Sequence, residues 1–259
     1  MKIIILAAGK GTRLKPLTDT IPKCMVKLDG KPIIEYQLDL FEKNENFDVS
    51  IITGYLQEKV DFIGVKKFYN PNYDTTNMVN TLFCAEKLFD SSDDILISYG
   101  DIVYNEYVLN KIVESDAEVN VVADKCWKTY WQARMNNPLD DAETFKVDEE
   151  GFIKELGKQP NSYNDIEAQY IGLIKIRRDV IEKIKDYYHS LDRKKIYDGK
   201  DINNMYMTTF LQLIIDNLIK IKPVYICNGW LEVDTLADLK HSKFLLTGIN
   251  QTENKIVNS

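Results

Sequence analysis

The chain has 259 residues, long enough for one large α/β domain with a substantial core. Its 40 acidic against 33 basic side chains give a net charge of −7, which argues against a nucleic-acid-binding or anionic-membrane surface and requires any phosphate-binding cations to act locally. Cys24, Cys84, Cys126 and Cys227 form no Cys-x-x-Cys pair, and with only two histidines they do not suggest zinc, so reduced thiols in a cytoplasm are the expectation. The apolar run Ile3 to Ala8 is too short for a signal peptide, and no stretch approaches the ~20 apolar residues that span a bilayer, so no membrane partner is expected.

In chain order, Lys2-Ile3-Ile4-Ile5-Leu6 is rich in β-branched residues and predicts a buried strand of a parallel sheet. A loop of small residues follows, Ala7 to Leu14, carrying Lys10 and Arg13. Pro32 to Phe41 has helical spacing, with Pro32 in the first turn. Val49 to Thr53 reads as a second strand stopped by Gly54, Gln57 to Ile63 as a short helix, and Val65 to Tyr69 as a third strand. Asn77 to Phe89 predicts a helix with Met78, Leu82, Ala85 and Phe89 on one stripe, and Asp94 to Tyr99 a fourth strand. Glu118 to Ala123 is another strand. Lys125 to Asp141 is then polar and aromatic. Thr144 to Val147 and Phe152 to Leu156, joined by Asp148-Glu149-Glu150-Gly151, read as a hairpin. Gln169 to Ile176 is a strand, Val180 to Leu191 and Met207 to Leu218 are helices, and Val224 to Ile226 is a late strand. Asp234 to Leu246 is expected to be helical and residues 247–259 a polar, frayed tail. The alternation implies right-handed crossovers between parallel strands.

The run Leu6-Ala7-Ala8-Gly9-Lys10-Gly11-Thr12-Arg13-Leu14, closed by Pro22-Lys23, carries the functional signal. Small residues after a strand let backbone N–H groups approach a ligand, and Lys10, Arg13 and Lys23 add positive charge, a combination suited to a triphosphate. A dinucleotide-binding fingerprint needs a third glycine where Leu14 stands, and a Walker loop needs a Gly-Lys-Ser/Thr ending that is absent. The whole motif resembles the signature of the nucleotidyltransferases that activate phosphorylated small molecules, among them sugar-phosphate nucleotidyltransferases and phosphocholine cytidylyltransferases. The resemblance continues at intervals to about residue 240.

The resemblance implies a Rossmann-like, mixed but mainly parallel sheet flanked by helices, of the nucleotide-diphospho-sugar transferase type. It implies a single domain over 1–246, with a nucleotide-binding half (1–123) and an acceptor-binding half (124–246) whose hairpin lies over the acceptor. The chemistry implied is attack by a phosphate oxygen on the α-phosphorus of a nucleoside triphosphate, which needs charge neutralisation and in-line positioning more than a general base. Asp101, after the fourth strand, and Asp234, after a late strand, are similar to the family's carboxylate ligands of Mg²⁺, the expected cofactor. From the residues alone Asp101 could equally make a turn and Asp234 cap a helix, and Glu232 is a weaker metal candidate. Arg13 matches the family's arginine on the leaving phosphates, and Lys23 its lysine near the transferred phosphoryl group. Leu6, Ala7, Ala8, Gly9, Lys10, Gly11, Thr12 and Gly100 are expected around the nucleotide. The Tyr73–Met78 segment resembles that of cytidylyltransferases, where Asn77 could read cytosine or only cap its helix.

On the acceptor side, Lys158 resembles the lysine of a Glu-Lys-Pro segment that holds the acceptor phosphate, and Gly172 falls where the family keeps a glycine. Trp127, Tyr130, Trp131, Tyr163, Tyr170 and Tyr206 could cage a choline. Arg134 among them suits a carboxylate-bearing acceptor instead, and places Trp131 and Arg134 at the acceptor. The segments Thr76–Ala85 and Asn137–Thr144 look like a branch near the cytidylyltransferase of the capsule phosphoramidate pathway, whose acceptor is L-glutamine phosphate. The expectation is therefore Mg²⁺-dependent transfer of CMP from CTP to a small phosphorylated acceptor, serving capsule or surface polysaccharide. A sugar-1-phosphate uridylyl- or thymidylyltransferase and a non-catalytic nucleotide sensor are the alternatives; the sequence leaves oligomeric state open.

Overall fold

The N-terminal apolar run forms strand β1 (Lys2–Ala7), with all six residues buried. Alternate side chains explain why: Ile3 and Ile5 enter one apolar core and Ile4 and Leu6 another, so the strand is covered on both faces. The structure, a computed structural model, describes residues 1–240. Six further strands complete the main sheet: β2 (Asp48–Thr53), β3 (Lys66–Tyr69), β4 (Ile95–Tyr99), β5 (Val119–Asp124), β6 (Gln169–Ile176) and β7 (Ile221–Ile226). Their spatial order is β7-β5-β6-β4-β1-β2-β3, and only β6 runs against its neighbours. The sheet is thus mixed and mainly parallel, as expected.

Helices α1 (Ile33–Phe41), α3 (Glu106–Val113) and α4 (Trp127–Arg134) cover the face that buries Ile3, Ile5 and Leu96. Helices α2 (Met78–Phe83), α5 (Ile181–Ser190) and α6 (Met207–Asn217) cover the opposite face, around Ile4, Ile97, Phe83 and Phe210. The hairpin pairs Phe145–Val147 with Ile153–Leu156, and the Leu156 N–H donates to Gln212 Oε1 of α6 at 2.9 Å. A second ribbon pairs Ile102–Tyr104 antiparallel with Trp230–Glu232.

Several expectations need correction. The helix expected over Asn77–Phe89 ends at Phe83, because the chain tightens into i→i−3 bonds, Cys84 N–H to Thr81 O and Ala85 N–H to Leu82 O. The expected helix over Gln57–Ile63 is a single 3₁₀ turn, Gln57–Lys59. Lys125–Asp141, read as polar and aromatic with no element assigned, contains α4. Of the expected helix Asp234–Leu246, residues 236–240 are helical; the remainder, with the polar tail, lies outside the described residues.

The cysteines were read as reduced thiols, yet Cys126 and Cys227 form a disulfide. They are 101 positions apart, but β5 and β7 pair in parallel with Asp124 opposite Ile226, which brings the two following segments together at a Cα separation of 4.9 Å. Cys24 and Cys84 are free. Among the described residues no helix is long and apolar enough to cross a membrane.

Candidate active site

β1 delivers the glycine-bearing loop to the carboxyl edge of the sheet, where open α/β folds bind ligands. Gly11 sits at φ 63°, and a Cβ there would come within 2.8 Å of Lys23 Cβ, so only glycine lets the loop lie against Lys23. Thr18 Oγ1 fixes this turn by donating to Gly11 O at 2.8 Å. Gly100 follows β4, and its N–H donates to Leu6 O at 2.9 Å; a Cβ on it would lie 2.8 Å from that oxygen. The close approach puts Asp101 beside the loop. A cavity of about 360 Å³ opens here, lined by Leu6–Gly9, Gly11–Arg13, Lys23, Asn77, Gly100, Asp101 and Asp234 among others. Lys10 is not in this lining; its ammonium stands 5.6 Å from the Tyr73 ring centre. Asn77 caps its helix and also lines the cavity. The cap is made by its Oδ1, which accepts from Met78 N–H at 2.8 Å at the start of α2.

The small ribbon brings the two aspartates together. Ile102 pairs with Glu232, so Asp101 and Asp234 emerge from adjacent strand ends, and Val233 N–H donates to Asp101 O at 2.9 Å. Lys23 Nζ lies between them, 2.7 Å from Asp101 Oδ2 and 2.7 Å from Asp234 Oδ1. Burial alone would lower the Lys23 ammonium, but Asp101, Asp234 and Glu232 outweigh it and hold the group firmly protonated. Arg13 pairs with the other Asp234 oxygen while remaining 65% exposed. Asp101 Oδ1 is buried without a hydrogen-bond partner. From α1, the fully buried Gln37 donates through Nε2 to Tyr99 O at 2.7 Å and Ile102 O at 2.8 Å, holding the turn that carries Asp101.

A second cavity of about 210 Å³ adjoins the first and shares Met78, Tyr99 and Glu232 with it. Trp131 and Gly172 line it, as do Tyr170 and Tyr206. At φ 88°, Gly172 keeps its space for the Tyr99 ring, which an added Cβ would meet at 2.5 Å. Trp127 and Tyr130 are buried core residues instead, and Tyr163 lies under the Lys128 ammonium, 4.0 Å from its ring centre. Lys158 is outside the lining of both cavities; it is exposed and 3.4 Å from Glu155 Oε2.

Arg134 needs correction. Its side chain is 4% exposed and its guanidinium is taken by the protein's own carboxylates, Glu232 Oε2 at 2.9 Å and Asp238 Oδ1 at 2.8 Å. It has no fork free for an acceptor carboxylate. Asp238 in turn accepts from the Asp234 and Thr235 N–H groups at 3.0 and 2.7 Å. Tyr130 of α4 bonds both backbone groups of Glu232. Helix α4 thus clamps the segment that carries Asp234. Sequence reading missed Gln37, Tyr99, Glu143 and Asp238; among these, a glutamine on the apolar stripe of α1 was the one signal available.

A model of the MobA-like NTP transferase domain matches residues 3–157 of this chain. The chain belongs to this family. It is a nucleotidyltransferase, and the glycine-bearing loop, Lys23 and Asp101 fall within the matched region, whereas Asp234 lies outside it. The enzyme is 41% identical to the CTP:phosphoglutamine cytidylyltransferase of Campylobacter jejuni, over 93% of this chain and 98% of that one. It is 42% identical to the choline-phosphate cytidylyltransferase of Streptococcus pneumoniae over 35% of this chain and 42% of that relative. Among solved structures, the CTP:phosphocholine cytidylyltransferase of Streptococcus pneumoniae superposes with a TM-score of 0.70 at 22% identity, covering 95% of this chain and 98% of that one. The inositol-1-phosphate CTP transferase of T. maritima gives 0.68 at 22% identity, covering 95% and 94%. These two superpositions establish a shared fold.

Proposed function

We propose that the enzyme transfers CMP from CTP to a small phosphorylated acceptor and releases pyrophosphate. The observation that carries this reading is the adjacency of two cavities that share Met78, Tyr99 and Glu232, with Lys23, Arg13, Asp101 and Asp234 converging in the first of them. The first cavity suits the nucleotide, with loop N–H groups and Arg13 toward its phosphates. The second suits the acceptor. An acceptor phosphate oxygen at the shared wall attacks the α-phosphorus; a P–O bond forms there and the bond to pyrophosphate breaks. The nucleophile is already anionic, so no proton has to move. Lys23 supplies fixed positive charge inside the first cavity, and Arg13, on the exposed side, can turn its fork to the leaving phosphates.

Mg²⁺ fits the residues present. Asp101 has a buried oxygen without a partner, and Asp234 lies across Lys23 from it. Among the described residues no group of three or more His, Cys, Asp or Glu side chains forms a ready centre, so these two carboxylates would share the ion with substrate oxygens and water, as Mg²⁺ commonly does. When bound, the ion neutralises phosphate charge.

The preference for CTP rests on the named relatives and on Asn77. Its oxygen is committed to the helix cap, which leaves its amide N–H groups for a base. Cytosine presents a ring-nitrogen acceptor where uracil presents N–H, and a mismatched donor pair costs about 1–3 kcal/mol. The same resemblance motivates L-glutamine phosphate as acceptor and a role in capsule or surface-polysaccharide modification. The test incubates the enzyme with each of four triphosphates and a panel of phosphorylated acceptors, following pyrophosphate release. CTP should exceed UTP about tenfold or more in kcat/KM; equal values, or turnover only of UTP with a sugar 1-phosphate, would overturn the reading.

A further inference from the structure

The second cavity has an unbalanced lining. Asp141, Glu143 and Glu232 face it, and among the described residues no lysine or arginine does. Two of these carboxylates have partners: Glu232 has Arg134, and Asp141 Oδ2 accepts from Trp131 Nε1 at 3.2 Å. The Glu143 carboxylate has no hydrogen bond or ion pair to any described residue, although its backbone is locked. Gln169 accepts from the Glu143 N–H at 3.1 Å and donates to its carbonyl at 3.1 Å, which fixes the residue at the cavity wall. Burial, with Asp141 and Glu232 nearby, pushes the Glu143 carboxyl up to about 7, so that its charged form is disfavoured until a cation stands beside it.

A second observation points the same way. Tyr170 is 9% exposed and lines the cavity; its buried hydroxyl has the Tyr99 hydroxyl for a neighbour, the two rings standing edge to face with centres 5.9 Å apart. Aromatic faces alone would suit any ammonium, including a quaternary one. An open carboxylate asks for more: the Glu143 oxygens are hydrogen-bond acceptors in need of N–H donors, which a quaternary ammonium lacks. Leaving them unmatched under a methylated cation carries a desolvation cost.

We propose that Glu143, with Tyr170 and Asp141 beside it, receives a primary ammonium group of the acceptor and selects phosphorylated primary amines, phosphorylated amino acids included, over phosphorylated quaternary amines. This rests on the transfer reading above and names the acceptor class for the same site. The structure thereby gives the acceptor's charge recognition to Glu143 rather than to Arg134.

The test compares wild type with Glu143→Gln and, as a ring-preserving second variant, Tyr170→Phe. Turnover is measured with L-glutamine phosphate, phosphoethanolamine and phosphocholine, and L-glutamine phosphate binding is measured separately by calorimetry without nucleotide. Wild type should favour phosphoethanolamine over phosphocholine. Glu143→Gln should raise KM for both primary amines about tenfold or more and weaken calorimetric binding alike, leaving KM for CTP unchanged. Equal use of phosphoethanolamine and phosphocholine, or an unaltered acceptor KM in Glu143→Gln, overturns the assignment while the transfer reading stands. Binding lost in Glu143→Gln with no pyrophosphate released by wild type overturns the transfer reading and keeps the subsite.

Discussion

Asp101 and Asp234 share one lysine ammonium, and that arrangement sets what each substitution should do. Replacing either by Asn keeps the shape and a hydrogen bond to Lys23 but removes a charge that would hold Mg²⁺. Metal-ion charge stabilisation is worth several kcal/mol, so Asp101→Asn and Asp234→Asn should each lower kcat by about a hundredfold or more. Thermal unfolding should change little. Near wild-type kcat at limiting Mg²⁺ in both variants would remove the metal role. These residues were legible in the sequence because each sits at a fixed step from a strand end, and a motif records such local spacing. Glu143 and Asp238 were not. A carboxylate in an unpatterned stretch takes its role from what the fold sets opposite it: a partnerless cavity wall for one, Arg134 for the other.

At the scale of elements, the seven main strands and four of the helices followed from apolar periodicity, since buried strands and half-buried helices must show it. The ribbon of Ile102–Tyr104 with Trp230–Glu232 did not. Its two strands are three residues each and lie far apart in the chain, so only tertiary pairing gives them form. Helix α4 was hidden for another reason: its apolar residues, Trp127, Tyr130 and Trp131, are mixed with polar ones that serve as clamps. Arg134 is the centre of that clamp, joining α4 to Glu232 and Asp238. Removing one partner of a buried ion pair typically costs about 3–5 kcal/mol, so Arg134→Met should lower stability by that order in denaturant titrations. Unchanged stability together with a raised acceptor KM would return Arg134 to the acceptor.

The whole molecule joins two requirements that composition alone obscures. On the transfer reading, a chain of net charge −7 would hold a polyanion with Arg13 and Lys23, which are set among carboxylates that also suit a cation. That reading also requires the two cavities to be in contact, which the sheet achieves by placing the ends of β1, β4 and β6 side by side. The fold class was legible in the alternation of strands and helices; the disulfide was not, because the parallel pairing of β5 with β7 is what brings Cys126 to Cys227. The central claim is that the two cavities are joined by one chemical step, the formation of a phosphoanhydride between CMP and the acceptor phosphate. Phosphorus NMR of the enzyme incubated with CTP, Mg²⁺ and L-glutamine phosphate reads that step directly. The account predicts two mutually coupled phosphorus signals from a new diphosphate product, with free pyrophosphate in equal amount. CTP left intact, or cleaved to CMP and pyrophosphate without a coupled product, would contradict it.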